Sequence, residues 1–377
     1  MKNWIDEHFS EHLDLLKTVA AIPAPSHHED ARVEFLLDHF EKLGVYAYAD
    51  AAKNVIVPMG DIDEGGITVF SAHTDVVFPD LTPLPVREEN GLLYAPGVGD
   101  DTANLAAILT TVRFIKERGL EPKRPVLFVL NSCEEGLGNL KGTRQLMSDF
   151  AGRIKELISF DCSFESGVIV TAVGSERWRV RVSAEGGHSF SAFGNSNAIH
   201  ELSKLIVKLY GQTVPEKAGC RTTYNVGRIE GGTSINTIAE SAEMLYEYRS
   251  DDRECLSLMR ESFKRLLEEA GSERAGFSAE LIGERPCGGD VDEAAYRELI
   301  AACADAISRV LGGEVRMGKG STDANIPLSL GVPAVTFGLY SGDGEHTREE
   351  WLKIDSLKPG LEIGMGLVLR RCFGMEY

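Results

Sequence analysis

The sequence predicts an α/β protein, a mostly parallel sheet flanked by helices, interrupted by an inserted α+β domain. Three observations carry this. Strand-like and helix-like segments alternate through residues 1–174, as βα units do. Near Gly174 the texture changes to strands that alternate apolar and polar residues, the pattern of an antiparallel sheet with one solvated face. And 377 residues exceed the ~250–300 at which a single core stops growing, so one large and one small domain are expected.

In chain order, MKNWIDEHFSEHLDLL has an acidic, helical pattern. Ser26-His27-His28-Glu29 reads as a capping box, followed by an apolar helical face at Val33, Leu36, Leu37 and Phe40. His27 and His28 are then solvated cap residues. ITVFSA, PVLFVLNS and LISFD are expected strands, with a helix from Asn104 to Lys116 whose Leu105, Leu109, Val112 and Ile115 recur at helical spacing. The alternating Trp178–Val182 opens a βαββα-like block, with helices around Ala198–Tyr210 and Asp252–Ala270 and strands TTYNVGRI and AEMLYEYRS. Residues 175–285 are therefore expected to be a small α+β domain inserted into a larger one made of 1–174 and 286–377. From Val291 a helix and then the buried strand GVPAVTFGL resume the α/β texture.

Composition narrows the function. Hydrophobic and charged contents of 43% and 26% are those of a globular protein. A net charge of −19, with no stripe of Lys/Arg and aromatics, argues against nucleic acid and anionic membrane as partners. The N-terminus lacks the apolar run of a signal peptide or membrane span, so a cytoplasmic protein is expected. Seven scattered cysteines without CxxC spacing fit reduced thiols.

Ionisable residues recur where strands run out. His73 and Asp75 follow ITVF, Glu134 and Glu135 follow PVLFVLNS, and Asp161 follows LISF; Asp100-Asp101 end a glycine-rich run, and His346 lies just past AVTFGL. Open α/β sheets place their ligand crevice at such positions. One such acid is ordinarily a helix cap or a solvated charge. Several converging on one crevice repel one another and need cations, and with Lys and Arg scarce nearby, metal ions are the expected compensation. Mixed imidazole and carboxylate ligands suit Zn2+, with Mn2+ or Co2+ as alternatives. Adjacent Glu134 and Glu135 should point differently, allowing one to ligate and the other to act as base.

The ordered set SAHTDVV, GVGDDT, CEEGLGNLKG, SFD, EGGHSF, GGTSINT, LYEYRSDD, GSTDAN and GEHTREEW resembles the zinc-dependent exopeptidase family of tripeptide aminopeptidase (peptidase T-like), acetylornithine deacetylase, succinyl-diaminopimelate desuccinylase and aminoacylase, over nearly the whole chain. The resemblance implies two zinc ions per subunit, one held by His73, Asp100 and Asp161 and the other by Asp100, Glu135 and His346, with Asp100 bridging. It implies that Asp75 holds the second nitrogen of His73, that Glu134 is the general base, and that the Asp100–Asp101 peptide is cis. His188 would stabilise the oxyanion, often from a partner subunit. Asn236 and Arg249 would hold substrate, Arg249 through its guanidinium fork. The resemblance also makes 1–174 with 286–377 the metal-binding catalytic domain and 175–285 an inserted lid or dimerisation domain, through which a homodimer is expected to form.

The sequence departs from the family pattern in places. Thr102 stands where many members carry lysine. Lys319 replaces an arginine typical of the tripeptidase branch, keeping the charge, and is a candidate helper for substrate binding. Asp161 in place of Glu at the third ligand position resembles the aminopeptidase and dipeptidase branches and tilts the substrate toward short peptides. An N-acyl-amino-acid deacylase or carboxypeptidase is the alternative, and a metal-free scaffold protein the alternative of another class. GLGNLKG at 136–142 lacks dinucleotide spacing, GKGST at 318–322 lacks the upstream glycine of a phosphate loop, and no GxSxG elbow occurs.

Overall fold

The computed structural model describes residues 1–271 and 274–376. The chain forms two compact units, 1–172 with 289–377 and 173–288, against boundaries of 174/175 and 285/286 expected from the sequence.

The larger unit is built on an eight-stranded sheet in the order Tyr48–Ala49, Val55–Met59, Val126–Asn131, Ile67–His73, Ile154–Phe160, Ala334–Phe337, Val168–Ala172, Met317–Gly320. The four strands from Val126–Asn131 to Ala334–Phe337 run parallel. They are buried throughout apart from the exposed Lys155, as expected where helices cover both faces. Phe70, Phe128, Phe160 and Phe337 line up across one face, with neighbouring ring centroids 5.4–6.0 Å apart, and pack under the helices Asn104–Glu117 and Leu357–Val368. This aromatic row ties all four strands together. Their carboxyl ends therefore open onto one common edge.

The smaller unit is a four-stranded antiparallel sheet in the order Thr222–Gly231, Ser241–Ser250, Gly174–Ala184, Ala275–Arg285. Val180, Val182, Met244 and Tyr246 alternate inward and pack on Leu202, Leu205, Met259 and Phe263 of the helices Ala198–Tyr210 and Arg253–Ala270.

The capping box expected at Ser26 is not formed. The helix starts at Asp30, with Glu29 at its N-cap making no side-chain cap bond. The Ser26 hydroxyl instead donates to Asp75 Oδ2 at 2.6 Å and to the Glu135 carbonyl at 3.3 Å. His27 and His28 are exposed.

Candidate metal centre

Each of the four parallel strands delivers its polar residues at the carboxyl end. His73 is the last residue of its strand, Asp161 follows Phe160, Glu134 and Glu135 follow Asn131, and the chain after Phe337 leads to His346. The backbone turns sharply there. Cys133, Cys162 and His346 all have positive φ, a conformation non-glycine residues adopt where surrounding contacts demand it.

The acidic and imidazole groups meet. His73 Nε2 lies 2.9 Å from Asp100 Oδ1, and His346 Nε2 lies 3.2 Å from both Asp100 Oδ2 and Glu135 Oε1. Donor atoms of His73, Asp100 and Asp161 fall within 4.8 Å of one another, as do those of Asp100, Glu135 and His346, and those of His73, Glu134 and Glu135. Asp100 is shared by the first two groups. Its peptide bond to Asp101 is cis.

Around this cluster the chain is held by buried polar contacts. Asp75 accepts the backbone N–H of Glu134 on Oδ1 and that of Glu135 on Oδ2, both at 2.9 Å. Its carboxylate thus serves chiefly the two glutamates. The ring of His73 donates Nδ1–H to the Asp75 backbone carbonyl at 3.0 Å, with the carboxylate farther off at 3.5 Å. Asp75 thus meets His73 Nδ1 through its backbone carbonyl and at longer range through its carboxylate, which also carries Ser26 and the two amides. Asp101 accepts the His73 N–H and the Asn104 amide.

Two residues of this surround carry no motif signal. Glu350 is buried and accepts the N–H groups of Gly97, Gly99 and Asp100, each at 2.8 Å, anchoring the loop that carries the shared aspartate. Burial and the Asp100 charge push its carboxyl up to about 8. Arg32 is fully buried and donates to the carbonyls of Ile22 at 2.9 Å and Thr74 at 2.8 Å. Burial pulls its pKa down to about 10, and Asp75 and Asp101 oppose that fall. The cluster is thus not wholly without protein cations. One arginine sits behind it.

The donor set fits a pair of metal ions. With Nδ1 on the Asp75 carbonyl, a neutral His73 ring would offer its Nε2 lone pair alongside the Asp100 oxygen, the imidazole–carboxylate donor pair of a zinc site. The electrostatics agree. Burial and the Asp100 charge push Asp161 well up and Glu135 up to about 7, while hydrogen bonds to Asp100 and Glu135 raise His346 to about 11. Burial is the first cause for Asp161 and Glu135, with the Asp100 charge adding to it, and the two carboxylate partners are the first cause for His346.

The remaining candidates lie elsewhere. Lys319 is exposed on the edge strand Met317–Gly320. Within the smaller unit, His188 Nδ1 accepts the N–H groups of Phe190 and Ser191 at 3.2 and 3.4 Å, which leaves the proton on Nε2. Asn236 is exposed beside it, its carbonyl accepting the Ser189 N–H at 2.9 Å. The Arg249 fork is engaged by Glu247, with both contacts at 3.1 Å.

Imidazoles and carboxylates gathered at the carboxyl ends of a parallel sheet, in overlapping groups able to hold metal ions, are the kind of centre a metal-dependent hydrolase carries. Residues 69–370 match Peptidase family M20/M25/M40, and the chain belongs to that family. It is a metallopeptidase-type hydrolase whose cofactor is a pair of zinc ions. The chain is 26% identical over 364 residues to an uncharacterized protein, YqjE, of Bacillus subtilis, covering 92% of this chain and 94% of that one. It is 24% identical over 355 residues to a succinyl-diaminopimelate desuccinylase of Corynebacterium glutamicum, covering 91% and 92%. The crystal structure of a tripeptidase from Staphylococcus aureus superposes with a TM-score of 0.75 at 22% identity, covering 96% of this chain and 97% of that one. Among the described residues no helix is long and apolar enough to cross a membrane.

Proposed function

We propose that the chain is a two-zinc exopeptidase that removes the amino-terminal residue from di- and tripeptides. The observation that carries the reading is the pair of three-residue groups sharing Asp100, with Glu134 against them. His73, Asp100 and Asp161 hold one zinc; Asp100, Glu135 and His346 hold the other. When bound, the ions polarise the scissile carbonyl and acidify the attacking water.

The protein's own groups do the rest. Glu134, fixed through its amide to Asp75, accepts a proton from the water as its oxygen attacks the carbonyl carbon. When the C–N bond breaks, Glu134 returns that proton to the leaving amine. The carboxylate-rich centre, with Asp161 among its ligands, favours a free α-ammonium over an N-acyl group. Arg249, once a substrate carboxylate displaces Glu247, grips the peptide's other end with Lys319 as helper. The desuccinylase relative keeps N-acyl hydrolysis as the alternative.

His188 and Asn236 act from a partner subunit in this proposal. They lie beyond the Ser241 end of the strand Ser241–Ser250, whereas Arg249 is one residue from its other end. At ~3.4 Å per residue those ends are roughly 27 Å apart, too far for one lid to bring both to one short peptide. The edge strand Thr222–Gly231 and the exposed Phe190, Phe193, Val207 and Ile235 support a homodimer through this unit. The cytoplasm is the proposed location.

The test is reconstitution. The chelated protein should hydrolyse a free tripeptide only after zinc is restored to two ions per chain, and mixing His188→Ala with Glu134→Gln protein should recover activity through hybrid dimers. Activity unaffected by chelation would overturn the zinc mechanism; no recovery despite subunit exchange would overturn the contribution in trans.

A further inference from the structure

A cavity of about 410 Å3 opens directly beside the metal cluster within the larger unit. Its floor belongs to the cluster's own support. Glu135 lines it, and so does Ser26, whose hydroxyl bridges Asp75 and the Glu135 carbonyl. Its walls are mainly apolar, coming from Pro25, Val77, Pro79, Leu81 and Leu137, and the exposed imidazoles of His27 and His28 complete them. A larger cavity of about 670 Å3 lies along Asp30–Tyr48, but no residue of the cluster lines it.

Two features mark the smaller cavity as a receptor for a side chain. Leu81, Leu137 and Val77 are 70%, 50% and 37% exposed, so three large apolar residues stand at one mouth without burying themselves in the core. Fixed charge is also sparse. No lysine or arginine lines the cavity, its one carboxylate, Glu135, is directed to His346, and its remaining titratable groups are the exposed His27 and His28. A cationic side chain would lose water there without gaining a free counter-charge and an anionic one would meet only solvated imidazoles, whereas an aliphatic or aromatic one would bury apolar surface.

We infer that this cavity receives the apolar side chain of a residue flanking the scissile bond, which makes the preferred substrates short peptides with leucine-, methionine- or phenylalanine-like residues there. The inference rests on the hydrolase reading above. Occupancy follows from proximity, because a carbonyl presented to a centre containing Glu135 carries its flanking side chains within a few bonds of the cavity mouth. Leu81 and Leu137 are then specificity-determining residues.

The experiment measures kcat/KM of the zinc enzyme for X-Gly-Gly, Gly-X-Gly and N-acetyl-X, with X glycine, leucine, lysine or aspartate. Leucine should exceed glycine, lysine and aspartate by at least ~tenfold in a series that is cleaved. Leu81→Gln or Leu137→Gln should lower the leucine-to-glycine ratio by about tenfold, while Leu330→Gln, exposed elsewhere, should not. A ratio near one in every cleaved series, or one that neither cavity variant changes, overturns the inference. Faster cleavage of N-acetyl-X than of free peptides would overturn the aminopeptidase reading alone, and the ratio within that series would still judge the cavity.

Discussion

Replacing Asp75 by asparagine isolates what holds Glu134 and Glu135 in place. The carboxylate accepts three hydrogen bonds: Glu134 N–H on Oδ1, Glu135 N–H on Oδ2, and the Ser26 hydroxyl also on Oδ2. Burial alone would raise its pKa, but hydrogen bonding to His73, Ser26 and the Glu135 amide holds it below the usual range, so it is ionised at neutral pH. Asparagine can keep its oxygen toward Glu135 and Ser26, but its NH2 then faces the Glu134 N–H, donor against donor. Losing one charge-assisted bond costs about 1.5–3 kcal/mol, and weakening the other two roughly 0.5–1 each, for a total of about 2.5–5 kcal/mol. Turnover should fall about a hundredfold, the usual effect of displacing a catalytic group by an ångström. Urea unfolding and kcat of the zinc-loaded protein, with zinc per chain counted in parallel, make the comparison. His73 keeps its Nδ1 bond to the Asp75 backbone carbonyl in the variant, so zinc content should stay near two. Unchanged stability with kcat within threefold of wild type would refute the argument. Loss of zinc, with kcat restored by excess metal, would mean that the carboxylate acts through His73 instead.

Three further outcomes are expected. Glu134→Gln should retain both zinc ions and lower kcat by ~10²–10⁴, whereas His346→Ala should lose one zinc; zinc loss in the glutamine variant would exchange the roles of Glu134 and Glu135. Arg32→Met should destabilise by about 3–5 kcal/mol in urea unfolding, because a buried charge facing Asp75 and Asp101 disappears and two carbonyls lose their donor, and a loss under 1 kcal/mol would contradict that role. His12, fully buried with Nδ1 on Thr110 Oγ1, has its pKa lowered to about 4 by burial. Above pH 6.5 it is neutral both folded and unfolded and has no effect. As pH falls from 6.5 to 4 only the unfolded chain takes the proton, so stability should decline by up to ~3 kcal/mol, and His12→Gln should remove that component from the pH profile.

The grouping of ligands was legible because each sits in a short polar stretch ending an apolar run, and strand ends in a parallel sheet share one edge. His73, Glu135 and Asp161 meet for that reason. What supports them was not legible. Glu350 reaches Gly97, Gly99 and Asp100 across some 250 positions of sequence, and nothing in GEHTREEW distinguishes it from the exposed Glu349 beside it. Arg32 shares the buried helix stripe with Leu36 and Phe40, four and eight residues on, so its inward position follows from spacing, but the two carbonyls it meets come from distant loops that the pattern does not show. Ser26 reads as a helix cap from its spacing to Glu29, and only the fold shows that Asp75 competes for its hydroxyl. The Arg249 pairing with Glu247 could have been read, since residues two apart on a strand share a face.

The central claim is hydrolysis of the amino-terminal bond of peptides with both ends free. Its most direct test is kcat/KM of the zinc enzyme for one tripeptide presented free, N-acetylated and C-amidated, with products identified by mass. The account predicts a free amino acid plus a dipeptide from the first, little or no cleavage of the second, and weakened binding of the third. Faster hydrolysis of N-acetyl or N-succinyl amino acids than of the free tripeptide would contradict it.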